Sequence, residues 1–373
     1  MAGTIQAVHF DTDFRPEHGH AVHQASGVVR ITAPNASPYT FTGTNSFLLG
    51  HERLALVDPG PADERHEAAL LAAIGGRMVD AILLTHTHKD HSASARFWSR
   101  RLGAQLWFGG QHRLSRPLRR FEINPIRKSC DWDLVPDRIL ADGEIIAAGD
   151  LTVSVHATPG HCANHLAFGL AGTDTLLSGD HVMGWNSTLV SVPDGSMADY
   201  FASLDKVIAL PFARYLPAHG GPIADGPAHA AALRAHRQMR NEQVIAAIGK
   251  GAHRLGQVVD AIYPTQPARV RLAARMTIAA HMEYLEALGR IEIRRSLFGS
   301  RLSLAACALL DCSDTAADTP SPRRTANSAE NPSRPLGRSG RDGAACGRQG
   351  PGPSSPRPPA PHESPRRDRG DPW

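Results

Sequence analysis

Apolar and polar positions follow two different periods along the first 228 residues of the chain. Runs that alternate or are continuously apolar predict strands, and runs with an apolar residue every three to four positions predict helices. Strands are predicted at 26–33, 44–50, 53–60, 78–85, 104–110, 151–157 and 175–178, and helices at 62–74 and 94–103. This alternation predicts an α/β fold, in which functional groups gather in loops at the carboxyl ends of strands.

The pattern changes after residue 228. Helices are predicted at 229–250, 254–263 and 268–288, and an alternating run behind them predicts a hairpin. Helices in this order followed by a hairpin are typical of a winged helix, so a small winged-helix-like domain is predicted over 229–305, behind a first domain at 1–228. Its third helix either reads nucleic acid or packs on the first domain.

The end of the chain has a different composition. From Ser313 onward it holds 12 of the 28 prolines, and of the large apolar residues only Leu336 and Trp373. Such a segment buries too little apolar surface to offset its ordering entropy. A disordered tail rich in Pro, Arg, Ser and Gly is therefore predicted over 306–373, either as a functional basic extension or as a stretch without selected structure.

Net charge differs between the two predicted domains. Residues 1–228 carry 18 Lys and Arg against 23 Asp and Glu, whereas residues 229–295 carry 11 against 5. The basic rear either meets a polyanion or is an ordinary solvated helical surface.

Composition also limits the class of protein. No apolar run approaches the ~20 residues of a membrane-spanning helix, and the N-terminal stretch lacks the charged start and apolar core of a secretory signal. A cytoplasmic protein without a membrane partner is expected. The five cysteines are scattered and have no Cys-x-x-Cys spacing, so neither a disulfide framework nor a thiolate zinc site is indicated.

The stretch LLTHTHKDHSASARFW, residues 83–98, places His86, His88, Asp90 and His91 directly after an apolar run. Burial of these groups costs desolvation energy unless a cation compensates for it. His86 and His88 are two residues apart and point to one metal position, while Asp90 and His91 turn toward a second. Each position needs further ligands, because a catalytic zinc takes three protein ligands and keeps one position open.

Three later residues supply these ligands. His161 and Asp180 follow the predicted strands at 151–157 and 175–178, and His219 follows a short strand predicted within RYLPAHGGPI, residues 214–223. The whole pattern, HxHxDH followed by a His, an Asp and a His, resembles the metallo-β-lactamase superfamily over about residues 26–225. The resemblance implies an αββα sandwich with two bound metal ions. Zinc suits a site of nitrogen and oxygen ligands, and iron or manganese is also compatible.

The resemblance further implies a role for each ligand. The first metal would be held by His86, His88 and His161, the second by Asp90, His91 and His219, with Asp180 bridging both. Asp90 and Asp180 would be the carboxylates of the catalytic machinery. A hydroxide that bridges the metals would be the nucleophile, because metal binding lowers the pKa of water from 15.7 to about 7. Hydrolysis is the reaction class that follows.

Residues near the ligands are candidates for supporting roles. Asp58 matches the Asp of the family's VDPG turn and is expected to orient the metal loop from behind; the alternative is a turn-capping Asp. His165 and His181 are expected to lie behind the ligands or simply to be packed, and otherwise to contact substrate. Cys162 is expected to point away from the metals.

A local run of basic residues lies at 112–128. Its Arg113, Arg116, Arg119 and Arg120 are predicted to recognise a phosphate or carboxylate on the substrate, because a guanidinium binds both groups through paired hydrogen bonds. The alternative is a solvated surface loop.

The order of the helices and the final hairpin resembles the β-lactamase-like protein 2 group, which joins a metallo-β-lactamase domain to a winged helix and includes RNA-cleaving members. The predicted function is a dinuclear zinc hydrolase. Its substrate is a small ester or thioester, as in the hydroxyacylglutathione hydrolase glyoxalase II, or a phosphodiester of single-stranded RNA. The alternative is a nucleic-acid-binding winged-helix protein whose metal site is mainly structural. Hydrolysis of β-lactams is disfavoured by the absence of a secretory signal.

Overall fold

Two stacked sheets form the centre of the computed structural model, which describes residues 8–296 and 299–305. Among these residues the first sheet has seven strands, which lie side by side in chain order. They are β1 (Val22–Ala25), β2 (Val28–Thr32), β3 (Asn45–Leu49), β4 (Arg53–Val57), β5 (Met78–Leu83), β6 (Gln105–Phe108) and β7 (Arg138–Ile139). Strands β1 to β4 pair antiparallel, and β4 to β7 pair parallel.

The second sheet has the spatial order β12-β11-β10-β9-β8. Its strands are β8 (Ile145–Ala148), β9 (Leu151–Ala157), β10 (Leu166–Leu170), β11 (Thr175–Gly179) and β12 (Arg214–Pro217). Pairing is antiparallel except between β11 and β12, which run parallel. Strands β11 and β12 therefore end at the same edge of the sheet, and so do β4 and β5 in the first sheet.

Helices cover the outer face of each sheet. They are α1 (Glu64–Ile74), α3 (Ala95–Leu102), α4 (Met197–Ala209) and α5 (Gly226–Gly249), while the short α2 (Lys89–Ser92) follows the loop after β5. The alternating sides of each strand feed different cores: Leu83 packs between the two sheets, whereas its neighbour Ile82 packs toward α1 and α3. A third core joins the second sheet to α4 and α5. The predicted αββα sandwich is confirmed.

The rear of the chain forms a winged helix with a core of its own. Its elements are the second half of α5, α6 (Leu255–Ile262), α7 (Ala268–Ala287), β13 (Ile291–Ser296) and β14 (Gly299–Leu304). Strands β13 and β14 form the antiparallel hairpin. The apolar face of α7, with Ile278, Met282 and Leu285, packs in this core. The winged helix predicted from the sequence is confirmed.

A continuous helix joins the two parts. Ala230 and Leu233 of α5 pack in the core beneath the second sheet, and Val244 and Ile248 pack in the winged-helix core. The boundary between residues 228 and 229 falls in the first turn of α5 and remains a prediction.

The opposite face of α7 lies against the hydrolase domain. Ala280 is buried in the core that joins the second sheet to α4 and α5, and the Tyr284 ring lies 5.0 Å from the ring of Phe201 on α4. The third helix of the winged helix is therefore committed to intramolecular packing on this side.

Among the described residues, no helix has the length and apolar character needed to cross a membrane. The tail predicted over 306–373 lies outside the residues that the structure describes.

Candidate metal centre

All seven predicted metal ligands meet at one edge of the sandwich, where strands of both sheets end. The loop after β5 leads directly into the short helix α2, and further loops follow β9, β11 and β12. These loops bring together His86, His88, Asp90, His91, His161, Asp180 and His219. Except for the partly exposed Asp90, all of these side chains are buried.

Three imidazole nitrogens form the first group of ligands. His88 Nδ1 lies 3.0 Å from His86 Nε2 and 2.8 Å from His161 Nε2. The rings of His88 and His161 are nearly perpendicular, at 85°. Each ring therefore points one nitrogen at the same small volume, as the ligands of one cation do.

The second group combines two imidazoles with a carboxylate. Asp90 Oδ2 lies 3.4 Å from His91 Nε2 and 3.3 Å from His219 Nε2. Here too the ligand atoms converge on one position.

Asp180 lies between the two groups and turns one oxygen toward each. Its Oδ1 is 3.3 Å from His219 Nε2 and 3.6 Å from His91 Nε2. Its Oδ2 is 3.5 Å from His161 Nε2 and 4.0 Å from His86 Nε2. A single carboxylate in this orientation can bridge two cations.

The unpaired polar atoms of the cluster fit cations. His91 Nε2, His219 Nε2 and Asp180 Oδ1 are buried, and none has a hydrogen-bond partner within the described residues. An unsatisfied buried polar atom costs about 1–3 kcal/mol, so three of them around one point indicate a missing charge. Nitrogen and oxygen donors in this arrangement suit two divalent metal ions.

Protonation differs between the two groups in the metal-free protein. Burial disfavours the charged form of His219, but Asp180 and Asp90 outweigh it and raise the pKa of His219 to about 9. Burial likewise opposes protonation of His91, yet Asp90, Asp180 and Asp58 hold its pKa well above the ordinary value. In the first group, burial and the neighbouring His88 lower the pKa of His161 to about 4.

Asp58 orients His91 from behind. This residue follows β4 in the Asp-Pro-Gly turn and has a left-handed backbone, with φ of 47°. Its Oδ2 lies 3.0 Å from His91 Nδ1, and the carboxylate also accepts hydrogen bonds from the Thr85 amide (2.7 Å) and hydroxyl (2.6 Å). Such a contact fixes which ring nitrogen of His91 carries its proton and which faces the metal position.

The outer nitrogens of other ligands are held in the same way. His161 Nδ1 lies 2.7 Å from the Leu189 carbonyl oxygen, and His219 Nδ1 lies 3.2 Å from the Gly43 carbonyl oxygen. A carbonyl can only accept, so each Nδ1 carries its hydrogen and Nε2 is the nitrogen that faces the metal position, which on His219 offers its lone pair once its proton is displaced.

Asp194 supports His88, and the sequence analysis does not single it out. Its carboxylate lies 3.0 Å from His88 Nε2 and 2.8 Å from His112 Nε2. Burial opposes the charge of Asp194, but the hydrogen bonds from His112 and His88 outweigh it and lower the carboxyl pKa. Asp194 stands in a Pro-Asp-Gly turn, and no local signal distinguishes it from an ordinary turn residue.

Replacing Asp194 with asparagine is expected to weaken metal binding about 10- to 100-fold, because such partners hold a ligand ring in its binding orientation. Competition between the protein and a zinc-binding dye measures this effect. Asp205→Asn is the matched control, since Asp205 pairs with Arg234 at the surface. Equal zinc affinities for the two variants would show that Asp194 does not hold His88 in its metal-binding orientation.

The remaining neighbours have distinct positions. His165 accepts a 3.1 Å hydrogen bond from the Asp180 amide and contacts the Thr158 hydroxyl at 2.8 Å through Nδ1. His181 packs edge-on against Tyr200, and burial lowers its pKa to about 3. Thus His165 supports the loop of Asp180, whereas His181 touches no ligand atom among the described contacts.

Cys162 does not face the metal ligands. Its thiol donates to Asn164 Oδ1 at 3.3 Å, and burial raises the thiol pKa well above its ordinary value. The side chain is therefore an inert packed thiol.

The four arginines predicted to bind substrate have other partners. Arg113 donates to the backbone carbonyls of Gly109 and Ala163. Arg116 forms ion pairs with Glu122 and Glu283, and Arg119 forms an ion pair with Glu283. Arg120 lies over the Phe121 ring, 4.9 Å from its centroid. Arg116 and Arg119 therefore fasten α7 to the hydrolase domain, and the structure does not place these arginines at the metal site.

A cavity of about 920 Å³ opens over the metal ligands. His88, Asp90, His161 and Asp180 form its floor. The walls are largely apolar: they include Ile123, Pro125, Ile126, Met183, Leu189, Val192, Leu255, Leu272, Met276 and Ala279. The cations that line it are Lys89, Lys128 and Arg275.

Family models match both parts of the chain. Residues 39–219 match the metallo-beta-lactamase superfamily, and residues 255–296 match the beta-lactamase associated winged helix domain. The first match contains every predicted metal ligand.

Two relatives align with a large part of this chain. A beta-lactamase-like protein 2 homolog from Drosophila melanogaster is 26% identical over 282 residues, which cover 73% of this chain and 91% of the relative. An atrochrysone carboxyl ACP thioesterase from Aspergillus chevalieri is 31% identical over 258 residues, covering 65% of this chain and 75% of the relative.

Solved structures show the same fold. A metallo-beta-lactamase family protein from Thermus thermophilus superposes with a TM-score of 0.62 at 27% identity and covers 75% of this chain and 99% of its own. A beta-lactamase domain protein from Burkholderia ambifaria gives a TM-score of 0.66 at 23% identity, covering 80% and 97%. From the ligand cluster, the sandwich and these relatives together, it follows that the chain belongs to the metallo-beta-lactamase superfamily of hydrolases and carries its associated winged helix domain.

Proposed function

We propose that the protein binds two zinc ions at the candidate metal centre and uses them to hydrolyse acyl thioesters. The observation that carries the proposal is the position of Asp180, whose two oxygens face two separate groups of ligands at the floor of a largely apolar cavity. A thioester presents an apolar acyl chain and one polar carbonyl, which matches apolar walls above a polar floor.

The residues of the chain have defined tasks in this reaction. His86, His88 and His161 hold one zinc, and Asp90, His91 and His219 hold the other, with Asp180 between them. Two zinc ions bound there supply Lewis acidity and lower the pKa of bound water toward neutrality. Asp58 and Asp194 keep His91 and His88 in their binding orientation, and the apolar walls contact the acyl chain.

Two observations favour a thioester over single-stranded RNA. The apolar walls of the cavity offer little to a chain of charged phosphates, which prefer guanidinium and amide donors. In addition, one face of α7, the helix that reads nucleic acid in many winged helices, is buried against the hydrolase domain. A relative in Aspergillus chevalieri is named as a thioesterase, which supports the same chemistry here.

Turnover of model thioesters by the full-length, zinc-loaded protein tests the proposal. S-acyl thioesters of N-acetylcysteamine are expected to be hydrolysed. Their kcat/KM is expected to rise about three- to fourfold for each added methylene as long as the acyl chain fits the cavity, because a buried CH₂ contributes about 0.8 kcal/mol. S-lactoylglutathione, with its polar acyl group, is expected to be a poorer substrate.

A 20-nucleotide single-stranded RNA serves as the competing substrate in the same assay. It is expected to remain intact at low and at physiological salt. Cleavage of this RNA without hydrolysis of any thioester would replace the proposed function by a nuclease.

A further inference from the structure

A second cavity lies on the winged helix, between the start of α6, α7 and the β13–β14 hairpin. Its volume is about 1280 Å³. We call it the arginine groove after three of its lining residues, Arg254, Arg275 and Arg301. All three side chains are exposed.

The arginine groove carries uncompensated positive charge. Arg254, Arg275 and Arg301 form no ion pair within the part of the chain that the structure describes. The carboxylates that line the groove are already engaged: Asp260 pairs with Arg271 at 2.9 Å, and Glu283 pairs with Arg116 at 2.6 Å.

The arginine groove adjoins the cavity over the metal centre. Leu255, Arg275 and Ala279 line both. Arg275 therefore lines both spaces: it shares one with the apolar walls and the metal ligands and the other with Arg254 and Arg301. An elongated ligand can occupy both spaces at once.

We propose that the arginine groove binds the phosphorylated nucleotide of a coenzyme A thioester, an inference that rests on the proposed thioester hydrolysis. Guanidinium groups bind phosphate through paired, charge-assisted hydrogen bonds. Three free arginines match a leaving group with several phosphates better than a carrier protein, whose pantetheine arm has one. The acyl chain and the thioester then occupy the apolar cavity.

The reaction balances as a simple hydrolysis. The oxygen of water forms a bond to the acyl carbon and the bond from that carbon to sulfur breaks. One proton of the water goes to the released thiolate, and the other is released to solvent. The products are a carboxylate and coenzyme A, and neither an oxidant nor a reductant is consumed.

Binding of 3′-phosphoadenosine 5′-diphosphate, the nucleotide half of coenzyme A, tests the groove without turnover. Titration calorimetry with the full-length, zinc-loaded protein is expected to show binding that weakens about tenfold in Arg254→Gln and in Arg275→Gln, as loss of one charge-assisted hydrogen bond predicts. Arg290→Gln is the matched control and is expected to bind normally, since Arg290 lines neither cavity. Absence of binding to the unmodified protein would overturn the assignment.

Kinetics with paired substrates separates the groove from the proposed function. Butyryl-coenzyme A is expected to show a KM raised about tenfold in Arg254→Gln, with kcat and the turnover of butyryl-N-acetylcysteamine unchanged, because Arg254 lines the arginine groove and not the cavity over the metal centre. If the nucleotide binds but no thioester is hydrolysed, the proposed function fails and the groove remains a nucleotide site.

Two further outcomes would overturn the coenzyme A assignment. One is hydrolysis of a butyryl-carrier protein that the nucleotide does not inhibit. The other is displacement of the nucleotide by a 20-nucleotide single-stranded RNA at equal phosphate concentration, accompanied by tighter binding of the RNA.

Discussion

Asp180→Asn is expected to lower kcat/KM by at least about 10⁴-fold, which corresponds to about 5.5 kcal/mol of lost transition-state stabilisation. Asparagine keeps the shape of the side chain but removes its negative charge and one of its two metal-facing oxygens. The two groups of ligands then lose the carboxylate between them, and the positive charges of two cations are no longer compensated at that point. Metal content is expected to fall from two ions to one or none per chain.

Elemental analysis and kcat/KM for a short thioester check this expectation together. Asp205→Asn is the control for replacing an aspartate, because Asp205 lies on α4 and pairs with Arg234 at the surface. Thermal unfolding of both metal-free variants shows whether the fold is retained. An Asp180→Asn protein with two bound ions and activity within tenfold of the unmodified protein would contradict the bridging role.

The cluster of candidate metal ligands could be predicted because its members follow strands that the sequence itself reveals. The apolar run before His86 and the strand before His161 are local patterns, and their carboxyl ends meet once the sandwich forms. Asp194 could not be predicted in this way. Its partner His88 is 106 residues away in sequence, and only the folded chain shows that a turn residue completes the support of a ligand.

For the basic run at 112–128, the sequence predicts a role that the folded chain does not support. Its charge is visible in the sequence, but Glu283, which pairs with Arg116, is 167 residues away. Local composition cannot tell an arginine that awaits a substrate from one that fastens two domains. Arg254 and Arg275, which form no ion pair within the described residues, lie outside this run, in the basic rear of the chain. From the sequence alone, that basic region is equally well explained as a solvated helical surface.

The fold itself was predictable wherever the periodicity was strong. Strand β9 has the predicted bounds, and α7 lies within a residue of them. Helix α4 and strand β10 are not among the predicted elements. Strand β10 is a short buried run that contains Gly169, which weakens a strand signal. In contrast, the Ser196 side chain caps the N-terminus of α4 by accepting a hydrogen bond from the Asp199 amide. A serine in this position is a local sequence pattern that predicts the start of a helix.

Affinity for the metal in the second group is expected to fall about tenfold for each unit of pH below about 9 through His219, and further through His91, because each proton displaced by a metal contributes a factor of ten per pH unit. The sign follows from the metal-free state. The pKa of His219 is raised to about 9 and that of His91 lies well above its ordinary value, so both rings carry a proton at neutral pH. A cation must displace both protons before it binds.

The first group is expected to behave differently, because burial lowers the pKa of His161 to about 4 and holds that of His86 well below the ordinary value. These rings are already neutral at pH 7, and a metal displaces no proton from them. Between pH 7 and pH 5 the protein is therefore expected to pass from two bound zinc ions to one. Equilibrium dialysis at several pH values measures this loss, and calorimetry in buffers of different ionisation enthalpy counts the released protons.

The His156→Gln variant is the control for removal of a titrating ring, because His156 is half-buried beside Phe212 and belongs to neither ligand group. It is expected to lose its second zinc over the same pH range as the unmodified protein. Simultaneous loss of both ions, or retention of both at pH 5, would show that Asp90 and Asp180 do not hold protons on His91 and His219. The difference in histidine pKa between the two groups of ligands, which follows from the positions of Asp90 and Asp180, would then have no consequence for metal binding.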